Sequence, residues 1–141
     1  MWFTVTFFCS VALIAFWEGG WRERAIASGQ VLVIALGHHA CHTWQCWGPG
    51  RPPLMVLRPL IDDAFLLAIC LVCAHRADRY WVLWASAFAL LCVVTDLVGL
   101  FPSRLTQWAV ASGSVIWNYL LVVMILVGVW TSARARRLAK P

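Results

Sequence analysis

Between residues 37 and 46 the chain reads Gly-His-His-Ala-Cys-His-Thr-Trp-Gln-Cys, the densest run of potential metal ligands in its 141 residues. At about 100° per residue, His38, Cys41, His42 and Cys46 share one side of a helix. Imidazole and thiolate both suit zinc or copper, and histidines at i and i+4 can hold one ion together. The spacing matches no strong zinc signature, and a polar run near a membrane surface would carry the same residue types without any metal. Three carboxylates extend the idea: Asp96, embedded in Cys-Val-Val-Thr-Asp-Leu-Val-Gly-Leu, and the adjacent Asp62 and Asp63. The candidate metal set is therefore His38, His42 and Asp96, with Cys41, Cys46, Asp62 and Asp63 as lesser members and a transition metal as the possible ion.

Each acid has a plainer reading. Arg58 and Asp62 stand at i, i+4 and can neutralise each other. Pro59 suits the first turn of a helix, and a helix starting there would set Asp62 and Asp63 beside the positive end of its dipole. Asp96 has no such escape. A carboxylate within hydrocarbon costs roughly 2.5–3.5 kcal/mol on insertion scales, so Asp96 is expected to face the bundle interior, with Thr95, His38, His39 or His42 as its nearest polar candidates.

Other chemistry is poorly supported. Cys70-Leu-Val-Cys73-Ala-His75 is a CxxC, but the histidine falls one place too late for haem attachment. Thioredoxin-like chemistry needs a βαβ setting, so Cys70 and Cys73 read as small apolar helix residues. His75 and the 38–42 histidines belong to opposite ends of the expected spans and cannot share a haem. There is no GxSxG, HExxH or phosphate loop, and the chain is expected to be neither an enzyme nor a holder of an organic cofactor.

The elements that would position these groups follow from composition. The chain is 62% hydrophobic and only 12% charged, with a mean hydropathy of +0.80. A soluble domain has roughly 25% charged residues, and so few cannot cover a water-exposed surface. The expectation is an all-α integral membrane bundle, a single domain over 1–141. Its five transmembrane helices lie near 2–17, 25–46, 54–75, 80–101 and 105–130, followed by a basic, frayed cytoplasmic tail at 131–141. Gly48-Pro-Gly-Arg-Pro-Pro53 marks the clearest break.

Charge sets the orientation. Arg22, Arg24, Arg76, Arg79, Arg134, Arg136, Arg137 and Lys140 fall on one side, and Arg51, Arg58 and Arg104 on the other. The positive-inside bias puts the N-terminus outside and the C-terminus in the cytoplasm. Tryptophans agree: Trp2, Trp44, Trp47 and Trp108 fall at outer ends, Trp17, Trp21, Trp81, Trp84 and Trp130 at inner ends, and only Trp117 is mid-span. The net charge of +5 serves orientation and anionic headgroups, and no basic face interleaved with aromatics points to nucleic acid. Gly29 with Gly37, Ala85 with Ala89, and Ala109 with Gly113 form grooves for close helix packing. Gln30, Ser112, Ser114 and Asn118 are placed to bond across helices.

The stretch from Asp62 to Trp130 carries Arg76-Ala-Asp-Arg-Tyr-Trp-Val-Leu-Trp84 and, further on, Thr95-Asp96-Leu97. In these motifs it resembles small uncharacterised multi-span inner-membrane proteins of alphaproteobacteria. The resemblance covers about half the chain and leaves out the His/Cys run. It implies a multi-pass protein of the bacterial inner membrane and carries no activity with it. Together these readings give two functional expectations. The first is a non-catalytic accessory or interaction subunit of a membrane assembly, with the lipid bilayer, other membrane proteins or a second copy as partners. The alternative is a small ion-handling protein using an outward-facing His/Asp cluster.

Overall fold

A computed structural model describes residues 2–43, 53–75, 80–101 and 104–138, and side chains for most of these. The described residues form five helices in chain order and no strand: α1 (Trp2–Glu18), α2 (Trp21–Thr43), α3 (Pro53–His75), α4 (Tyr80–Gly99) and α5 (Arg104–Leu138). Of these, α4 and the Ser112–Leu138 part of α5 are long and apolar enough to cross a membrane, whereas Thr6–Glu18 is a shorter apolar helix.

The helices make a ring in sequence order, each packed on the next, and α5 closes the ring on α1 while also touching α2. The most extensive interfaces are α4 with α5 and α3 with α4. Because the number of helices is odd, α1 and α5 run in the same direction: Phe7 and Phe8 meet the Tyr119 ring at 5.8 and 6.0 Å, and Glu18 meets Arg136 at 3.8 Å. By contrast α2 and α5 are antiparallel, pairing Glu23 with Ser132 and Gln30 with Asn118.

Each helix turns one narrow stripe inward. On α4 the stripe is Trp81, Val82, Ala85, Ser86, Ala89 and Cys92, spaced three or four apart as a 3.6-residue period requires. Trp81, Val82, Ala85 and Ala89 of this stripe belong to one core with Leu121, Val122, Ile125 and Val129 of α5, Leu66, Cys70 and Cys73 of α3, and Ile26 and Ala27 of α2. The opposite faces are also apolar. Leu13, Trp17, Ile61, Val72, Leu83, Phe101, Val115 and Trp130 are all more than half exposed.

Three boundaries differ from the sequence reading, each for a local reason, and a fourth lies beyond the described residues. First, α2 starts at Trp21 rather than residue 25. Only Gly19 and Gly20 interrupt the chain there: the Gly19 amide still bonds the Ala15 carbonyl at 2.9 Å, and the Gly20 carbonyl already accepts from Arg24 at 3.2 Å. A side chain at Gly19 would lie 2.2 Å from the Ala15 carbonyl oxygen, so the tight reversal depends on glycine. Second, the described part of α2 ends at Thr43. The expected end at residue 46, and with it Cys46, lies outside the described residues.

Third, α3 begins at Pro53, with Pro59 inside it. Pro53 takes the first-turn role assigned to Pro59, where a missing N–H is harmless. Asp62 and Asp63 then sit well inside the helix, and the dipole-capping reading fails. Fourth, residues 131–138 are not a frayed tail, because α5 continues to Leu138. Alanine, arginine and leucine are strong helix formers, and Arg136 and Arg137 favour the negative end of the dipole. Thr131 and Ser132 are held as well, through the Gly128 carbonyl at 2.9 Å and the Glu23 carboxylate at 2.6 Å.

Close packing on α5 is tightest at Gly128. A methyl group there would stand 2.7–2.9 Å from three ring carbons of the Trp81 indole, itself 5% exposed and unable to swing aside. Gly128→Ala is therefore expected to destabilise the bundle by about 1–3 kcal/mol through overpacking. At Gly37 the nearest atom among the described residues to an added methyl is 3.8 Å away, so Gly37→Ala serves as the tolerated control. Thermal unfolding in detergent checks both, and equal midpoints would contradict this packing.

Candidate functional site

The polar side chains of the interior lie in layers. At the Gly19–Gly20 end, Glu23 is 3% exposed in the first turn of α2, and Ser132 donates to its carboxylate. The helix-start position suits an anion. Glu23 precedes the expected start of the second span at residue 25, and the earlier start of α2 turns it inward. Nearby, Arg136 donates to the Glu18 carbonyl and pairs with its carboxylate.

Midway along the bundle, Gln30 Nε2 stands 3.5 Å from Asn118 Oδ1, the long limit for a hydrogen bond. The Asn118 amide also donates to the Ser114 carbonyl at 2.9 Å and approaches Cys92 Sγ at 3.8 Å. Trp117, the mid-span tryptophan, donates its indole N–H to Thr95 Oγ1 at 3.1 Å and stacks on Phe88. A half-buried indole with a partner explains why that tryptophan is not at an end.

The third layer, toward the opposite end, holds the carboxylates. Arg58 reaches Asp62 at 3.4 Å and donates to the Gly37 carbonyl of α2 at 3.1 Å. Asp63, one residue on, points into the interior and is 9% exposed. Its carboxyl lies near that of Asp96 across the α3–α4 interface. Ser114 of α5 donates to Asp96 Oδ1 at 3.4 Å, while Asp96 Oδ2 is buried and no donor among the described residues serves it. Among the described residues, three helices thus bring two acids and one hydroxyl together.

This settles where the expected site residues fall. Asp96 lies inside the bundle as its charge demanded, with Asp63 and Ser114 as the neighbours found. His38, Cys41 and His42 belong to α2, but their side chains, like Cys46, lie outside the described residues. Among the described residues no group of three or more His, Cys, Asp or Glu side chains is placed to hold a metal ion. Cys70 and Cys73 are buried free thiols in the core, the role expected of them. Of the expected grooves, Gly29 lies against Leu66 and Ile69 of α3, and Gly113 against Thr95 of α4.

The sequence reading missed the Asp63–Asp96 encounter. The usable signal was the pair of adjacent acids: at 100° per residue Asp62 and Asp63 cannot both share the Arg58 face, so one of them needs another partner. Compared with known protein families, curated proteins and solved structures, the chain finds no match.

The Arg58–Asp62 pair is only about one-fifth exposed, and it ties α3 to α2 as well. In a double-mutant cycle with Arg58→Met and Asp62→Leu, a coupling of about 1–3 kcal/mol is expected from a charge-assisted bond in this setting. Strictly additive losses in unfolding free energy would show that the two groups do not interact.

Proposed function

We propose that this chain is a multi-pass protein of the bacterial inner membrane. Its five helices all cross the bilayer, with the N-terminus outside and the C-terminus in the cytoplasm. It has no catalytic centre and works as an accessory or interaction subunit of a membrane assembly. The observation that carries the reading is the apolar exterior on every helix. In α4 and the Ser112–Leu138 stretch only 28% of the most apolar window is buried, whereas the central helix of a water-soluble protein would be mostly enclosed. Exposed contiguous leucine, valine, phenylalanine and tryptophan on this scale suit hydrocarbon as the surrounding solvent.

Helix lengths support the same reading. The 23 residues of α2 and of α3 each reach about 35 Å, enough for a ~30 Å hydrocarbon core, and α1 at about 26 Å needs slight local thinning. The 35 residues of α5 reach about 52 Å, so its basic end extends past the hydrocarbon into the headgroups. There Trp130 carries Arg134 at 5.7 Å and Trp21 carries Arg22 at 5.3 Å, interfacial cation–π pairs on what the charge bias makes the cytoplasmic side. Charged residues within the α3 sequence do not oppose the reading, because Arg58 and Asp62 pair and Asp63 turns inward. The accessory role draws on the interior itself: among the described residues its polar side chains mostly bond to one another and line no cleft that joins a nucleophile to a base.

Reporter fusions test the topology. A fusion after Pro141 is expected to be active only as a cytoplasmic reporter and one within residues 44–52 only as a periplasmic reporter. A periplasmic C-terminus would overturn the orientation. Purification from native membranes in mild detergent, followed by native mass spectrometry, tests the role. A second polypeptide or a second copy is expected in stoichiometric amount, and a lone monomer would contradict an interaction subunit.

A further inference from the structure

We propose that the outward face of α5, at its cytoplasmic end, is a binding site for an anionic phospholipid. Arg134 and Arg137 hold the phosphate, and Val123, Val127 and Trp130 lie along an acyl chain. Such a site adds a specific lipid to the partners of the chain and rests on the membrane reading, with the C-terminus in the cytoplasm.

The site is a single stripe of one helix. Val123, Val127, Trp130, Arg134 and Arg137 follow one another at steps of four, three, four and three residues. At about 100° per residue they fall within roughly 80° of one another around α5. All five are exposed. The opposite face does the packing: Leu121 and Ile125 belong to the core, and Gly128 admits the Trp81 indole. Ser132, two residues from both Trp130 and Arg134 and so about half a turn from each, bonds Glu23 of α2. Arg136 likewise turns back to Glu18 of α1. The basic end of α5 therefore has an inward side that ties the bundle together and an outward side that the bundle does not use.

Groups along the stripe come in the order of a phospholipid standing in one leaflet. From Val123 to Arg134 the helix rises about 16 Å, close to half of a ~30 Å hydrocarbon core. Two valines come first, Trp130 follows at 62% exposure, and the arginines stand beyond it. That is the sequence of hydrocarbon, interface and headgroup, with the indole at the level it prefers. Arg134 lies over the Trp130 ring at 5.7 Å. Stacking occupies the flat face of a guanidinium and leaves its in-plane N–H donors for a phosphate, which they can bind bidentately.

Charge identifies the occupant. Among the described residues neither Arg134 nor Arg137 pairs with an acid, and the acids described at that end are engaged, Glu18 by Arg136 and Glu23 by Ser132. At i, i+3 the two arginines are neighbours on the helix, and like charges so placed destabilise it. One phosphate between them removes that repulsion, and the cytoplasmic leaflet presents anionic headgroups at this depth. Inorganic phosphate carries the charge but offers nothing to the valines and the indole. A zwitterionic lipid offers its chains but no net charge. An anionic phospholipid matches both halves of the stripe.

The test is native mass spectrometry of the full-length protein in a neutral detergent, with palmitoyl-oleoyl phosphatidylglycerol and palmitoyl-oleoyl phosphatidylcholine added in equal amounts. Wild type is expected to retain phosphatidylglycerol in preference. Arg134→Gln and Arg137→Gln are each expected to lower that preference about fivefold, and the double variant to abolish it. Arg24→Gln removes the same charge from an exposed position at the same end of the bundle and is expected to leave the preference unchanged. No preference in wild type, or an equal loss in Arg24→Gln, would overturn the site. Excess inorganic phosphate is expected not to displace the lipid, and displacement would overturn the role of the apolar stripe. Thermal midpoints provide a second measurement on the same samples. Glutamine is a good helix former, so the double variant should match wild type in detergent alone. Phosphatidylglycerol should then raise the midpoint of wild type only, and an equal rise in both proteins would contradict the proposal. Membrane fractionation of the same cells separates the two ideas: a membrane-bound wild type without the preference sinks the lipid site alone, and a soluble protein sinks the embedding on which the site rests.

Discussion

In the membrane setting we propose, the governing constraint of this bundle is that its outer faces are largely apolar, so its polar side chains must find partners within the ring. In a soluble helical protein a stray polar group is turned toward water at little cost. Here that option exists only near the helix ends. The result is a stack of internal polar layers: Glu23 with Ser132, Gln30 with Asn118, and Arg58, Asp62, Asp63, Asp96 and Ser114 together. Between them lie sealed apolar layers of Ile26, Leu121 and Ile125. An unpartnered polar group in such surroundings costs several kcal/mol, which makes the layers strong constraints on register. Sliding α5 along α2 by one turn would break the Glu23–Ser132 and Gln30–Asn118 contacts at once.

Small residues make those layers possible. Gly128 admits the Trp81 indole, Gly29 admits Ile69, and Gly113 lets Thr95 of α4 approach α5. In the lipid setting we propose, where no hydrophobic drive acts between helices, such close contacts and interhelical hydrogen bonds supply the association energy. Ser86 and Thr95 return their hydroxyls to the carbonyls of Val82 and Leu91 on their own helix, so they add no unmet polar group. The bundle is therefore held by fit and by a few polar contacts, not by a large dry core.

Much of this was legible in the sequence. Helical class, the number of helices and the breaks at Gly19-Gly20 and around Pro53 followed from apolar blocks punctuated by glycine and proline. The inward position of Asp96 followed from the cost of a charge in hydrocarbon. What the sequence withheld depends on rotation and depth. Whether Pro59 or Pro53 opens α3 decides if Asp62 and Asp63 are cap residues or interior ones, and both prolines are acceptable first-turn residues. Thr131–Leu138 read as a tail because it is polar, yet polarity does not distinguish a frayed end from a helix leaving the membrane. The approach of Asp63 to Asp96 is hardest to foresee, because two like charges are not an expected pair.

The central claim is that the exposed apolar faces meet lipid while the carboxylates stay inside. Single-cysteine spin labels along α3, in a cysteine-free background reconstituted into vesicles, measure this residue by residue. Labels at Leu57, Ile61, Phe65, Ala68 and Val72, all on exposed positions, are expected to collide freely with oxygen and hardly at all with a water-soluble nickel chelate. Labels at Leu66 and Cys70 should be shielded from both, giving a 3.6-residue rhythm along the helix. Ready collision of the exposed positions with the nickel chelate, throughout the length of α3, would mean that water surrounds this helix and would contradict the account.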